Sequence, residues 1–172
     1  MRLCFVVVSF CLTILLTADC LSAQSCCSQA DMELVQSQWQ TVWLTESSKS
    51  KIGFARFLLF NLLHMYPETK SMFESVGVDD PLGGAFGAHC MRIVNAFDMI
   101  INLLANDEAL SAALEHLSQQ HADRLGVRKA HIETFGQTLN LSLMLILDDY
   151  DTMAWKSCWK GIVQRLTAKL PP

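Results

Sequence analysis

Two histidines are the side chains of this sequence best placed for chemistry, because each falls on the apolar face of a predicted helix. Residues three, four or seven positions apart share one side of a helix. The apolar neighbours on these faces are Phe86, Ile93, Ala96, Phe97 and Ile100 around His89, and Leu110, Leu114 and Leu117 before His121. One such histidine is usually a core residue with a local hydrogen bond. Two of them on consecutive antiparallel helices can instead face each other across a flat apolar cavity, which suits a haem group with an axial histidine on its iron.

The elements that position these histidines are predicted to be helices. Apolar residues recur at helical spacing, convincing strand alternation is missing, and two of the four prolines stand at the very end. The sequence therefore predicts an all-α single domain. We expect Asn106 to cap the helix of His121 and Gly126 to end it in the left-handed conformation. Helices are expected over 31–44, from Ser47 or Ser48 to 66, over 67–73, from 84 to about 105, from about 107 to 126, over 127–147 and over 151–169.

The amino end has the pattern of a secretory signal peptide. Met1-Arg2 is followed by an apolar run over 3–16 and by small and polar residues up to Ala23. The alternative, a membrane anchor, is disfavoured because the run is too short to cross a bilayer and contains Ser9 and Thr13. We predict a cleaved signal peptide over 1–23 and one domain over 24–172.

Charge and motif content narrow the range of partners. The chain carries a net charge of −4 and has no basic cluster, which argues against nucleic acid and against an anionic membrane surface. The sequence contains no His-Glu-x-x-His or Cys-x-x-Cys pattern, so a zinc site is not expected. The glycosylation sequon at Asn140 falls inside a predicted apolar helix, and we interpret it as a chance match.

Cysteine usage is consistent with an oxidising compartment. Three of the seven cysteines leave with the predicted signal peptide, and Cys26, Cys27, Cys90 and Cys158 remain. Four cysteines allow three complete pairings, and the spacing does not choose between them.

The order of motifs along the chain resembles the globin family, and in particular the extracellular haemoglobin chains of annelids and related worms. The resemblance covers essentially everything after residue 25. It is carried by Cys26-Cys27-Ser28, Trp39, Trp43, Tyr66-Pro67-Glu68-Thr69-Lys70, Phe73, Phe86-Gly87-Ala88-His89, Arg92-Ile93-Val94-Asn95, His121-Ala122-Asp123-Arg124-Leu125-Gly126-Val127, Ala154-Trp155 and Cys158. It implies the globin fold, with about eight helices packed around one haem.

The resemblance also implies roles for the two histidines. His121 is expected to be the proximal ligand of the haem iron, with its other ring nitrogen donating to a backbone carbonyl. His89 is expected to be the distal residue that donates a hydrogen bond to bound dioxygen. The residues expected to line the pocket are Leu59, Phe73, Ile93, Leu117 and Val127. Arg92 lies at the pocket mouth, where it either pairs with a haem propionate or is a solvated helix charge.

The cysteines gain expected roles from the same resemblance. It implies an intrachain disulfide between Cys27 and Cys158 and leaves Cys26 for a disulfide to another chain, with the reverse assignment of Cys26 and Cys27 as the alternative. Cys90 is expected to be a free thiol. It is either a small buried apolar residue or, as the resemblance suggests, a carrier of sulfide.

The function that follows from the resemblance is reversible dioxygen transport, and not catalysis. The chain is expected to be a secreted subunit of a large extracellular haemoglobin in blood or coelomic fluid, together with other globin chains and non-globin linker chains. One alternative is a haem enzyme on the same fold, a peroxidase or nitric oxide dioxygenase. Another is a haem-free secreted helical bundle, which gives no reason for two histidines on opposed apolar faces.

Overall fold

Helices account for all regular structure in the part of the chain that the structure describes. The structure is a computed structural model, and it describes residues 27–172. The predicted signal peptide and Cys26 lie outside the described residues. Between Cys27 and Pro172 the structure has six α-helices, one 3₁₀ helix and no strand, which confirms the all-α class. Their bounds are α1 Gln29–Thr45, α2 Ser48–Met65, the 3₁₀ helix Pro67–Val76, α3 Gly84–Asn102, α4 Asp107–Ala122, α5 Lys129–Ile146 and α6 Thr152–Leu166.

The described residues hold seven helices, as many as the helical ranges predicted from the sequence, whereas the resemblance implied about eight. The longest connection between helices, 77–83, stays irregular because its residues favour turns. Gly77 takes a left-handed conformation with φ of 85°, which ends the 3₁₀ helix, and Pro81 follows within the same loop.

Polar side chains cap the helix starts where the sequence predicted them. Ser47 accepts a hydrogen bond from the backbone N–H of Ser50 at 3.2 Å, and Asn106 accepts one from Ala109 at 3.1 Å. Each bond satisfies one of the N–H groups that a helix start leaves without a partner. The predicted caps therefore fix the beginnings of α2 and α4.

Four helix ends differ from the prediction by three or four residues. The 3₁₀ helix runs to Val76, beyond the predicted residue 73, and the other three helices end early. Gly126 is left-handed as expected, with φ of 87°, but α4 already ends at Ala122. α3 and α6 likewise end before the predicted residues 105 and 169. The reason is that the final turns tighten to bonds between residues three apart, such as Arg124 N–H to the His121 carbonyl at 3.2 Å.

The central core is built from buried side chains of all six α-helices. α2 packs against α3 and α5, and α6 packs against α1, α4 and α5. Trp155, Leu58, Leu114, Leu139 and Leu143 are almost completely buried there. No helix within 27–172 has both the length and the apolar character needed to span a bilayer.

A disulfide joins the start of the described chain to α6. Cys27 is bonded to Cys158 across 131 residues of sequence, with their Cα atoms 4.5 Å apart. This is the pairing that the resemblance implied. Closing a loop of this length stabilises the fold by about 4–5 kcal/mol on the chain-entropy model.

Candidate functional site

His121, in the last turn of α4, has one ring nitrogen committed to its own helix. Its Nδ1 lies 2.7 Å from the carbonyl oxygen of Leu117. A carbonyl only accepts hydrogen bonds, so Nδ1 carries the proton and Nε2 keeps its lone pair. This is the backbone hydrogen bond that the proximal assignment required, and it leaves Nε2 in the form that can bind a metal.

His89, on the second turn of α3, has the opposite arrangement of ring nitrogens. Its Nδ1 lies 3.5 Å from Nη2 of Arg92, a long contact in which the guanidinium can only donate. If Nδ1 accepts in this contact, the proton of the neutral ring resides on Nε2. That Nε2 is buried and has no hydrogen-bond partner within the described chain. A buried N–H without a partner costs free energy, which a ligand that accepts its hydrogen bond recovers.

Both imidazoles are held in the neutral form. Burial, together with smaller effects of the charges of Arg92 and Arg124, lowers the pKa of His89 to about 4. Burial also lowers the pKa of His121, with a smaller effect of Arg124 in the same direction, while the hydrogen bond to Leu117 opposes the shift. Near neutral pH, His121 offers a lone pair and His89 offers an N–H.

Arg124 links the two histidines and was not singled out from the sequence as a site residue. It follows α4 by two residues, is exposed, and its charge acts on both His89 and His121. Both imidazoles therefore lie within electrostatic range of one guanidinium, and their helices, α3 and α4, are in contact. The sequence signal that could have identified Arg124 is its position three residues after His121. Arg92 is likewise exposed, beside His89.

The predicted pocket residues divide between two buried clusters that meet at Ile93. Leu59 belongs to the buried cluster between α2 and α3, and Phe73 packs against that cluster. Leu117 packs against the other cluster, which is the central core of the fold, and Ile93 packs against both clusters. The ring centroid of Phe73 lies 5.7 Å from that of His89. Val127 is buried but is a member of neither cluster, so the contacts do not place it with the others.

The described chain also has an open cavity away from the histidines. It measures about 640 Å³ and lies between α1, α2 and the end of α5, with Trp39, Trp43 and Phe54 among its walls. Neither His89 nor His121 lines it. The complementary nitrogens of the two histidines, and not this cavity, therefore define the candidate site.

Comparison with known proteins decides the family. The globin family model matches residues 56–166, which include both histidines. The chain is 47% identical over 148 residues to "Extracellular globin-3" of Lumbricus terrestris, which covers 86% of this chain and 87% of that relative. It is 32% identical to "Extracellular globin-4" of the same worm, covering 86% of this chain and 98% of that relative. It is 31% identical to "Globin, extracellular monomeric" of Tubifex tubifex, covering 72% of this chain and 86% of that relative. The chain belongs to the globin family.

Family membership implies that this globin binds haem, and the two histidines fit that group. Nε2 of His121, which has a lone pair, would be able to bind the iron of such a group. Nε2 of His89, which is buried without a partner among the described residues, would be able to donate a hydrogen bond to a ligand of the iron. The fit therefore rests on the hydrogen-bond partners of both rings as well as on their positions in the sequence.

Cys90 of this globin is a free but inaccessible thiol. Its side chain is 0% exposed and packs with Ala55 and Val94 between α2 and α3. Burial raises its pKa, and the charge of Arg56 opposes that shift only in part. Since the thiolate is the reactive form, this environment keeps Cys90 unreactive.

The sequon at Asn140 is poorly presented for glycosylation. Asn140 lies inside α5 and its Oδ1 accepts a hydrogen bond from Tyr150 at 3.3 Å. Ser142 is buried and donates to the carbonyl of Thr138 at 2.7 Å. The geometry agrees with the interpretation of the sequon as a chance match.

Proposed function

We propose that this globin is a secreted haem protein that binds and transports dioxygen reversibly, as a subunit of a large extracellular haemoglobin. The observation that carries the proposal is the complementary set of contacts made by two imidazoles on neighbouring helices. Nδ1 of His121 contacts a carbonyl oxygen, which leaves a lone pair on Nε2, whereas Nε2 of His89 is buried without a hydrogen-bond partner among the described residues. One nitrogen suits a metal, and the other suits an electron-rich ligand.

The haem would be held, in this proposal, by side chains from four helices and from the loop between α4 and α5. Ferrous haem would supply the atom that combines with dioxygen. His121 would provide the nitrogen ligand, and Arg92 and Arg124 would offer positive charge to the carboxylates of the haem. The residues that would line the pocket are Leu59, Phe73, Ile93, Leu117 and Val127. An apolar lining excludes water, and water exclusion protects the reduced metal from oxidation.

His89 would favour the binding of dioxygen over that of carbon monoxide. Dioxygen gains partial negative charge when it binds, so an N–H donor in an apolar pocket stabilises it more than carbon monoxide. The low pKa of His89 keeps this donor neutral, which avoids burying a cation next to the ligand. The expected contribution of such a hydrogen bond is about 1–3 kcal/mol.

Secretion and assembly are supported by the ends of the chain and by the relatives. The pattern over 1–23 is that of a signal peptide, and the relatives are named as extracellular globins. Because Cys158 is bonded to Cys27, it is not available to Cys26. We propose that Cys26 forms a disulfide to another globin chain, within an assembly in blood or coelomic fluid that also contains non-globin linker chains.

Neither of the two other activities raised by the sequence is favoured by a specific contact. A peroxidase or nitric oxide dioxygenase needs groups that pull the O–O bond apart or a source of electrons, in addition to one distal histidine. Sulfide carriage needs an accessible thiolate, and the burial of Cys90 and its raised pKa work against one. We therefore propose carriage of dioxygen alone.

The test combines an absorption spectrum with mass spectrometry of the native protein. We expect a haem spectrum that changes reversibly between oxygenated and deoxygenated forms, one haem per chain, and loss of a partner chain on reduction. Secretion is checked by the amino-terminal sequence, which should begin at residue 24. A protein that takes up no haem when folded in its presence would overturn the proposal, and an intact Cys26 thiol in the native assembly would overturn the interchain disulfide.

A further inference from the structure

Arg92 and His89 lie one turn apart on α3, and their side chains meet at the mouth of the site. Nη2 of Arg92 is 3.5 Å from Nδ1 of His89, the ring nitrogen opposite the buried Nε2. Residues three apart on a helix are neighbours, so this contact is fixed by the sequence spacing and needs no distant element. The spacing of the two residues on α3 thus places the guanidinium of Arg92 within reach of Nδ1 of His89.

We propose that Arg92 is a positioning residue that sets the tautomer of His89, so that the proton resides on Nε2 and faces the bound ligand. The inference rests on the proposed function and adds a role that pairing with a propionate does not include. A neutral imidazole carries one proton, which resides on either nitrogen. If the proton moved to Nδ1, two donors would face each other across the contact with Arg92, and Nε2 would present a lone pair to an electron-rich ligand.

The surroundings of His89 leave Arg92 as the group that can select the tautomer. The rings of Phe73 and Phe86 lie beside the imidazole, and neither has a polar group to offer. The other charge that acts on His89 is Arg124, which has no hydrogen bond to it. Both arginines keep the ring neutral, but among residues 27–172 only Arg92 contacts a ring nitrogen.

The proposal predicts opposite results for substitutions that look similar. In Arg92→Glu, a carboxylate replaces the donor and accepts from Nδ1, which moves the proton away from Nε2. In Arg92→Met, the donor is lost and no acceptor replaces it, so both tautomers of His89 become populated. In Arg92→Lys, the ammonium group can only donate, and the Nε2–H tautomer is retained.

The experiment uses the haem-loaded, carbon monoxide-bound protein at pH 8, where the neutral imidazole dominates. Nitrogen-15 NMR of the His89 ring reports directly which nitrogen carries the proton, and stopped-flow mixing reports the rate of dioxygen release. We expect Arg92→Glu to invert the nitrogen shifts and to raise the release rate by about tenfold, the loss of one hydrogen bond. Arg92→Met should give intermediate shifts, and Arg92→Lys should match the unsubstituted protein.

Arg124→Glu is the matched control, since it makes the same change of charge near both histidines without touching Nδ1 of His89. It should leave the nitrogen shifts of His89 unchanged. Equal effects of Arg92→Glu and Arg124→Glu on those shifts, or unchanged shifts in both Arg92→Glu and Arg92→Met, would overturn the inference. Neither result touches the proposed function, because haem uptake and reversible dioxygen binding are read from the spectrum of the same samples.

Discussion

Nδ1 of His121 donates a hydrogen bond of 2.7 Å to the carbonyl oxygen of Leu117, one turn earlier on the same helix. A carbonyl oxygen has two lone pairs, so that of Leu117 can accept from a side chain as well as from a backbone N–H of the helix. The bond orients the ring and assigns its proton at the same time. His121 therefore has its lone pair on Nε2 before any metal is present.

The first prediction concerns this lone pair. His121→Ala should abolish proximal coordination and leave haem weakly held by the apolar lining. Adding free imidazole to His121→Gly should restore part of the absorption spectrum, because the small ligand occupies the space that the side chain leaves. Spectra of both variants after loading with haem test this. A spectrum of His121→Ala with unchanged axial coordination would contradict the assignment.

The second prediction concerns the distal donor. His89→Leu removes the unpartnered N–H and should speed dioxygen release by about tenfold or more, while carbon monoxide release changes less. His89→Gln is the matched variant, since its amide keeps a donor at a similar distance. Its rate of dioxygen release should fall between those of the unsubstituted protein and His89→Leu. If His89→Leu accelerated the release of dioxygen and of carbon monoxide equally, the effect of the substitution would be steric only.

The third prediction is a pH dependence of the haem-free fold. The pKa of His89 is about 4 in the folded chain against 6.5 for an ordinary histidine, and burial lowers the pKa values of His121 and His131 as well. Between pH 6.5 and 4 the unfolded chain therefore binds more protons than the folded chain. Because stability falls as pH falls wherever the unfolded state binds more protons, the free energy of unfolding should decrease through this range.

Urea unfolding of the haem-free protein at pH 7.5, 6 and 5 measures the slope of the free energy of unfolding against pH. His89→Leu should reduce the slope, because the leucine has no proton to bind. His64→Gln is the control, since His64 is exposed on α2 and takes no part in the site. A slope that is unchanged in His89→Leu would show that His89 is not one of the responsible groups.

The fourth prediction concerns the contact between α5 and α6. A Cβ atom added at Gly136 would lie 2.5 Å from Nε1 of Trp159, whose indole is buried. Gly136→Ala should destabilise the protein by about 1–3 kcal/mol through overpacking. Gly53→Ala is the opposite case, because no atom lies within 4 Å of its added Cβ. It should stabilise α2 by about 0.5–1 kcal/mol.

Thermal unfolding of the two glycine variants compares them directly. The midpoint should fall for Gly136→Ala and rise slightly for Gly53→Ala. If the midpoint rose for both variants, helix propensity alone would explain the results, and the proximity of Trp159 to Gly136 would not matter.

Local features of the site and fold were determined by the sequence itself. Helical spacing placed His89 and His121 on apolar faces, and the short-range chemistry of Ser47 and Asn106 fixed the starts of two helices. The hydrogen bond from His121 to Leu117 is also local, since it joins residues four apart. Such features depend on neighbours within one or two turns, and these neighbours are visible in the order of residues.

Only the tertiary structure decided which distant residues meet. The spacing of the cysteines left three pairings open, and packing of the amino-terminal arm on α6 brings Cys27 to Cys158. It also placed Arg124 within range of both histidines and buried the thiol of Cys90. These outcomes depend on how the helices pack, because contacts between residues far apart in sequence follow from the joint fit of many side chains and not from the pattern of any one helix.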